Sequence, residues 1–153
     1  MTYEEYRKQR QDEVNALPIF FAFSNKQFEE EMGKRGLTVE DTDKICRISG
    51  GFCLKSDLGT IKEFVRKPDP LHSLMNDATF AESAFYYEMG NHEYHINWQG
   101  DWDVCSCFGS CEYGEDKDYT DYLGEIGYSQ DVIAAFGTAK TKFYNACREN
   151  DWY

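Results

Sequence analysis

The chain has 153 residues, of which 41% are hydrophobic and 16% are aromatic, and its 28 acidic and 16 basic residues give a net charge of −12. A chain of this length fits one domain that buries roughly 70% of its unfolded surface, and so many aromatic residues argue against disorder. The negative charge disfavours direct binding to nucleic acid or to an anionic membrane; it can attract a partner with a basic surface, or it can serve only to keep the protein soluble. We therefore predict one acidic globular domain over residues 1–153.

The start of the chain bears on its compartment. Met1 is followed by the polar stretch TYEEYRKQRQDE, with no apolar signal region. No apolar run approaches the roughly 20 residues that span a bilayer. We therefore predict a cytoplasmic protein without a membrane partner, in which the six cysteines stay reduced.

Helix signals recur along the first third of the chain. Thr2 and Glu5 form a capping box that predicts a helix over residues 3–16. Ser24 precedes a second helix, predicted over residues 26–34. Two β-prone runs, 44–49 and 52–55, flank Gly50-Gly51, which is typical of an antiparallel hairpin.

Further helices are predicted in the rest of the chain. Ser56 or Asp57 caps one helix, Thr79 and Glu82 open a central aromatic helix, and Ser129 caps the last one. Between the last two, alternating apolar residues and the CSCFG motif predict a strand in the region 102–113. The predicted fold class is α+β: a single domain with several helices packed on a small antiparallel sheet, made from the hairpin and the 102–113 region.

Histidines, cysteines and carboxylates concentrate between residues 88 and 111. Glu88 and His92 lie four residues apart, but His92 and His95 do not fit the HExxH zinc motif. The cysteines follow a CxCx3C pattern, whereas structural zinc sites favour CxxC. These mismatches favour no metal site and a histidine that offsets the helix dipole at a helix end; the residues considered as metal ligands are His92, His95, Cys105, Cys107 and Cys111. A nucleophilic pair of Cys105 or Cys107 with His92 or His95 is a second possibility, and thiols that act as small hydrophobic groups are a third.

Four carboxylates in the same region belong to Glu88, Glu93, Asp101 and Asp103. In so acidic a chain this density is expected by chance. We predict that they serve as hydrogen-bond partners of nearby tryptophan, tyrosine and backbone groups. We predict no cofactor.

Three stretches carry a resemblance to a known family. They are FYYEMxNHEYxINWQxDxDVxSCFG at Phe85 to Gly109, TYEEYRKQRQDEVNALPIFFAFSNKQFEE at Thr2 to Glu30, and the ending ENDWY. This combination resembles an uncharacterised family of small acidic proteins from phages and mobile elements of gut Firmicutes. The resemblance implies a bacterial host cell and a gene on mobile DNA. Such genes often encode inhibitors of host defence, and small acidic anti-CRISPR proteins that occupy basic nucleic-acid channels are a precedent.

The most acidic stretch runs from Glu112 to Glu125. We expect a non-enzymatic binding protein that docks this stretch on the basic surface of a nuclease, such as a CRISPR effector. The predicted contact residues are Glu112, Tyr113, Glu115, Asp116, Asp118, Tyr119, Asp121 and Tyr122. One alternative is a metal-binding or cysteine-dependent enzyme that uses the 88–111 cluster, and another is an interaction module without a role in defence.

Overall fold

A computed structural model describes residues 1–152, so Tyr153 of the ENDWY ending lies outside the described residues. Helices dominate the chain, and two short strands accompany them. The helices are α1 (Tyr3–Asn15), α2 (Asn25–Lys34), α3 (Leu58–Arg66), α4 (Leu71–Leu74), α5 (Ala78–Asn91), α6 (Gly100–Ser106), α7 (Tyr119–Ile126) and α8 (Gln130–Glu149), and the strands are β1 (Ile45–Ile48) and β2 (Gly51–Leu54).

Residues 1–10 and 69–153 form one compact unit, here called the helical unit. Its core lies between α5 and α8. Phe85 of α5 and Phe136 of α8 are fully buried, with ring centroids 5.0 Å apart, and Tyr119 stacks on Phe136 at 4.4 Å. Burial of one such ring contributes about 1.5–3 kcal/mol, so these aromatic contacts hold the helices of the unit together.

Residues 11–68 form the second compact unit, here called the hairpin unit. Strands β1 and β2 pair antiparallel, with Ile48 opposite Gly51. Ser49 and Gly50 make the turn. Both have positive φ, as the two central residues of a type I′ hairpin turn require. Gly51 starts β2 where a Cβ would lie 2.7 Å from the carbonyl oxygen of Phe20. Its missing side chain therefore lets Phe20 bridge to β2.

Most predicted elements are confirmed. The fold class is α+β, with a two-stranded antiparallel sheet at the predicted hairpin, although the turn is Ser49-Gly50, one residue earlier than the predicted Gly50-Gly51. Helix α1 covers the first predicted helix, and the side chains of Ser24 and Ser129 cap α2 and α8 as predicted. The central helix is also present, but its cap is Asp77, two residues before the predicted Thr79. The prediction of one domain over residues 1–153 stays a prediction.

The predicted strand in the region 102–113 is wrong. Residues Gly100–Ser106 form helix α6, and residues after it belong to a loop. The helix buries Val104 and Cys105 and leaves Cys107 exposed, whereas a strand would have put both cysteines on one face. Within residues 1–152 the hairpin is therefore the whole sheet. No helix in this range has the length and apolar character needed to cross a membrane.

Helix α7 begins with a capping box inside the acidic stretch. The Asp118 side chain accepts hydrogen bonds from the backbone N–H groups of Thr120 and Asp121, and the Asp121 side chain accepts one from the N–H of Asp118. Carboxylates at a helix N-terminus also face the positive end of the helix dipole. These two carboxylates therefore stabilise α7.

Replacing Asp118 by alanine should destabilise the helical unit by about 1–2 kcal/mol because the cap is lost. Replacing the exposed Asp116 should change the stability by less than about 0.5 kcal/mol. Urea unfolding followed by tryptophan fluorescence measures both effects, since Trp98, Trp102 and Trp152 all lie in the helical unit. Equal stability of the two variants would show that the cap contributes nothing.

Candidate functional site

The acidic stretch offers fewer free carboxylates than its composition indicates. Glu112, Glu115 and Asp116 are exposed, and no cation among residues 1–152 lies within ion-pair distance of Glu115 or Asp116. Lys117 instead pairs with Glu125 at 2.6 Å. Since the carboxylates of Asp118 and Asp121 cap α7, the three carboxylates before them are the ones free for a partner.

The three predicted tyrosine contacts differ in exposure. Tyr113 is exposed, whereas Tyr119 is half-buried against the ring of Phe136. Tyr122 is only 1% exposed, and its hydroxyl donates to the carbonyl oxygen of Gly114. The prediction that Tyr122 contacts a partner is therefore wrong, because this ring belongs to the core of the helical unit.

An exposed tryptophan lies beside the acidic stretch. Trp98 is 79% exposed and meets Tyr113 edge to face, with ring centroids 6.0 Å apart. Both rings line a groove of about 220 Å³, which Glu115 also borders. Sequence reasoning did not identify Trp98 as a surface residue. Its surroundings, Asn97 and Gln99, were the signal for exposure.

Asp101 holds this region in place. It accepts a hydrogen bond from the hydroxyl of buried Tyr94, and its other oxygen accepts from the backbone N–H of Tyr119 at 2.9 Å. Burial, and then the hydrogen bond to Asp101, raise the pKa of Tyr94. Asp103 accepts from the amide of Asn97 at 2.7 Å. The predicted hydrogen-bonding role is confirmed for Asp101, which connects α6 to the start of α7, whereas the partner of the Asp103 carboxylate is an asparagine amide and not a tryptophan, tyrosine or backbone group.

A second cluster forms where α5 and α6 end. His92 is the C-cap residue of α5, and Cys107 is the C-cap residue of α6. The Cys107 Sγ lies 3.4 Å from the His92 Nε2, and the same Nε2 lies 3.6 Å from an oxygen of Glu88. One ligand atom from each of the three residues lies within 4.8 Å of the others. The structure thus brings His92 and Cys107 together, although 15 residues separate them.

Glu88 is buried, at 4% exposure, and is held from several sides. Its Oε1 accepts from the hydroxyl of Tyr3 at 2.8 Å and from the guanidinium of Arg7 at 3.1 Å. Its Oε2 accepts from the amide of Asn91 at 3.1 Å. Burial, followed by the hydrogen bond to Glu88, raises the pKa of Tyr3. The predicted hydrogen-bonding role therefore holds for Glu88 as well.

The remaining candidate ligands lie elsewhere. Cys105 is fully buried in the core, where burial raises its pKa. The carbonyl oxygen of Cys111 accepts from the indole of Trp102, and its thiol is not part of the cluster. His95 also lies outside the cluster, with its ring 6.0 Å from that of Phe143. Among residues 1–152, a Cys105, Cys107 and Cys111 zinc site does not form.

Cys107 does not have the character of an activated nucleophile. Although Cys107 as a residue is exposed, partial burial of its thiol first, and then the negative charges of Glu88 and Asp103, raise the pKa of the thiol to about 11. Its thiol also donates to the carbonyl oxygen of Asp103 at 3.3 Å. Reactive cysteines have a lowered pKa, since the thiolate is the nucleophile.

The fold and site define a helical α+β protein with an acidic surface segment and a cluster in which one buried carboxylate meets a histidine and a cysteine. The family of unknown function DUF7659 matches residues 2–103, more than half of the chain, and the chain belongs to this family. The matched residues include Glu88 and His92 and end before Cys107 and the acidic stretch. No curated protein and no solved structure matches the chain.

Alkylation of Cys107 by iodoacetamide should be slow at neutral pH and should still accelerate between about pH 9 and about pH 11. Because the pKa of the Cys107 thiol is raised to about 11, most of the thiol is protonated at about pH 9 and the thiolate fraction keeps rising up to about pH 11, whereas an ordinary thiol with a pKa of about 8.5 is already largely ionised at about pH 9. Mass spectrometry of the Cys107 peptide, with a chelator present, gives the rate. The same cysteine in the urea-unfolded chain is the control. A plateau below about pH 9 in the folded chain would contradict the assignment.

Proposed function

We propose that this chain is a non-enzymatic binding protein that inhibits a nucleic-acid-binding nuclease by occupying its basic surface. The observation that carries the proposal is the pairing of exposed rings with free carboxylates on one part of the helical unit. We call this set the acidic-aromatic surface; it consists of Trp98, Glu112, Tyr113, Glu115 and Asp116.

The carboxylates of this surface suit a basic partner. Glu115 and Asp116 have no cationic partner within residues 1–152, so binding to lysine or arginine would not first require an internal ion pair to break. The net charge of −12 adds a long-range attraction that speeds encounter with a basic surface. Complementary charge thus supports recognition and also selects against acidic partners.

The rings give the surface an anchor. Trp and Tyr are enriched among residues that dominate binding energies, because a large ring can fill a pocket while its polar edge stays satisfied. Trp98 is 79% exposed, so its ring is available for burial. A nucleic-acid groove offers cationic side chains for phosphates and flat contacts for bases. Carboxylates and exposed rings side by side on this protein therefore resemble the phosphates and bases that such a groove binds.

The sequence resemblance supports the biological setting. A phage or mobile-element origin would make a host defence nuclease, such as a CRISPR effector, the favoured target. Such a target acts in the bacterial cytoplasm, and we therefore place this protein there. An interaction module without a role in defence would use the same surface but would leave every nuclease active.

Reversing Glu112, Glu115 and Asp116 to lysine should weaken binding to a basic nuclease at least about tenfold, which is about 1.4 kcal/mol. The matched control reverses Glu29, Glu30 and Glu40, which are exposed on the hairpin unit. Both triple variants carry a net charge of −6 instead of −12, so a difference between them reports position and not total charge. Asp118 and Asp121 are left intact to preserve the α7 cap.

The measurement uses a purified RNA-guided nuclease, with and without its guide and target. Binding by the parent chain should fall as salt rises from about 0.1 M to about 1 M, since the Debye length shrinks from about 10 Å to about 3 Å. Prior loading of guide and target should block binding, and the parent should inhibit cleavage. Equal binding by the two triple variants would refute the role of this surface. Binding without inhibition of cleavage would refute the nuclease target.

A further inference from the structure

Three different metal-binding groups meet where α5 and α6 end: the carboxylate of Glu88, the imidazole of His92 and the thiol of Cys107. We propose that this cluster is a binding site for a zinc-like divalent cation. The proposal does not depend on the acidic-aromatic surface, with which the cluster shares no residue.

The distances fit one ion. Ligand atoms that lie about 2.0–2.3 Å from a tetrahedral zinc stand about 3.3–3.8 Å from one another. The Cys107 Sγ and the His92 Nε2 are 3.4 Å apart, and the Nε2 and the Glu88 Oε2 are 3.6 Å apart. The third distance in the set does not exceed 4.8 Å. Two of the three separations therefore already match those around a single tetrahedral ion.

The ring nitrogen involved distinguishes a metal site from a catalytic triad. In a triad, the nucleophile faces Nε2 of the histidine while the carboxylate binds Nδ1 and orients the ring. Here the thiol and the carboxylate both approach Nε2. A carboxylate on that side cannot relay or orient a proton transfer between thiol and ring. Convergence of both groups on one nitrogen is what a shared cation requires.

The surroundings of Glu88 prepare it as a ligand. Tyr3 and Arg7 both donate to Oε1, which fixes the carboxylate, while Oε2 accepts from the Asn91 amide and lies 3.6 Å from the His92 Nε2. Such outer partners orient metal ligands and raise their affinity. The charge of the guanidinium offsets that of the buried carboxylate, so the thiolate would supply the main negative charge for the ion.

The position of the cluster also favours a cation. His92 and Cys107 are both C-cap residues, and helix C-termini carry partial negative charge. His92 is half-buried and Cys107 is exposed, so an ion can enter from solvent. Three protein ligands leave a fourth tetrahedral position open, as in zinc sites that bind water or a substrate. A mixed sulfur, nitrogen and oxygen set suits zinc better than magnesium or calcium.

Binding would change the protonation of Cys107. The thiol gives up its proton to solvent, a sulfur-to-metal bond forms, and the donated hydrogen bond to the Asp103 carbonyl oxygen is lost. One proton is released for each ion bound, and no redox partner is needed. Metal affinity should therefore fall as the pH is lowered.

The test titrates the reduced, chelator-treated full chain with Co²⁺, which reports a thiolate ligand through a near-ultraviolet sulfur-to-cobalt absorption band. The parent chain should bind one equivalent with this band, and Zn²⁺ should displace the cobalt. Loss of an outer ligand partner alone weakens metal affinity about 10- to 100-fold, so Cys107→Ser and His92→Ala should each weaken it at least that much. Cys107→Ser should also abolish the band.

Matched controls come from the same unit. Cys111→Ser and His72→Ala change the same residue types outside the cluster, and both should bind cobalt like the parent. Thermal melting of each variant without metal shows that the fold is kept. Uptake by the parent without the sulfur band, as for ions held by surface carboxylates, would overturn the proposal. Equal titrations of the Cys107→Ser variant and the parent would also overturn it.

Discussion

The buried carboxylate of Glu88 is the interaction on which the helical unit depends. Among the described residues it is the one charged side chain within the core, and burial of an unpaired charge costs several kcal/mol. Tyr3, Arg7 and Asn91 offset this cost with three hydrogen bonds. Two of these partners come from α1, so the same contacts that satisfy the charge also fasten the start of the chain to α5 and aim one oxygen at His92 and Cys107.

The carboxylate of Asp101 has a similar structural role beside the acidic-aromatic surface. Asp101 binds the buried Tyr94 hydroxyl and the backbone of Tyr119, and it thereby fixes where the acidic stretch leaves α6 and enters α7. The capping box then uses Asp118 and Asp121 for the fold. The negative charge of this chain therefore divides into carboxylates that build the structure and a smaller exposed group, beside Trp98, that is free for recognition.

Local signals made much of the fold predictable. Ser24 and Ser129 mark helix starts because their side chains accept backbone hydrogen bonds, and the Gly50-Gly51 pair marks the hairpin. Helix α6 lacked such a signal, since its N-cap Gln99 makes no side-chain cap bond. The candidate site was harder, because the meeting of His92 with Cys107 depends on how α5 and α6 pack. Likewise, the burial of Tyr122 follows from tertiary contacts that a run of tyrosines and acids does not display.

The most direct test of the role of Glu88 is a double-mutant cycle that combines Tyr3→Phe with Glu88→Gln. Urea unfolding, followed by tryptophan fluorescence, gives the stability of the helical unit for the parent, the two single variants and the double variant. Residues in one buried hydrogen-bond network show coupling energies of about 0.5–3 kcal/mol, and we expect a coupling of at least about 1 kcal/mol. Additive effects, with a coupling below about 0.3 kcal/mol, would contradict the view that this carboxylate organises the unit.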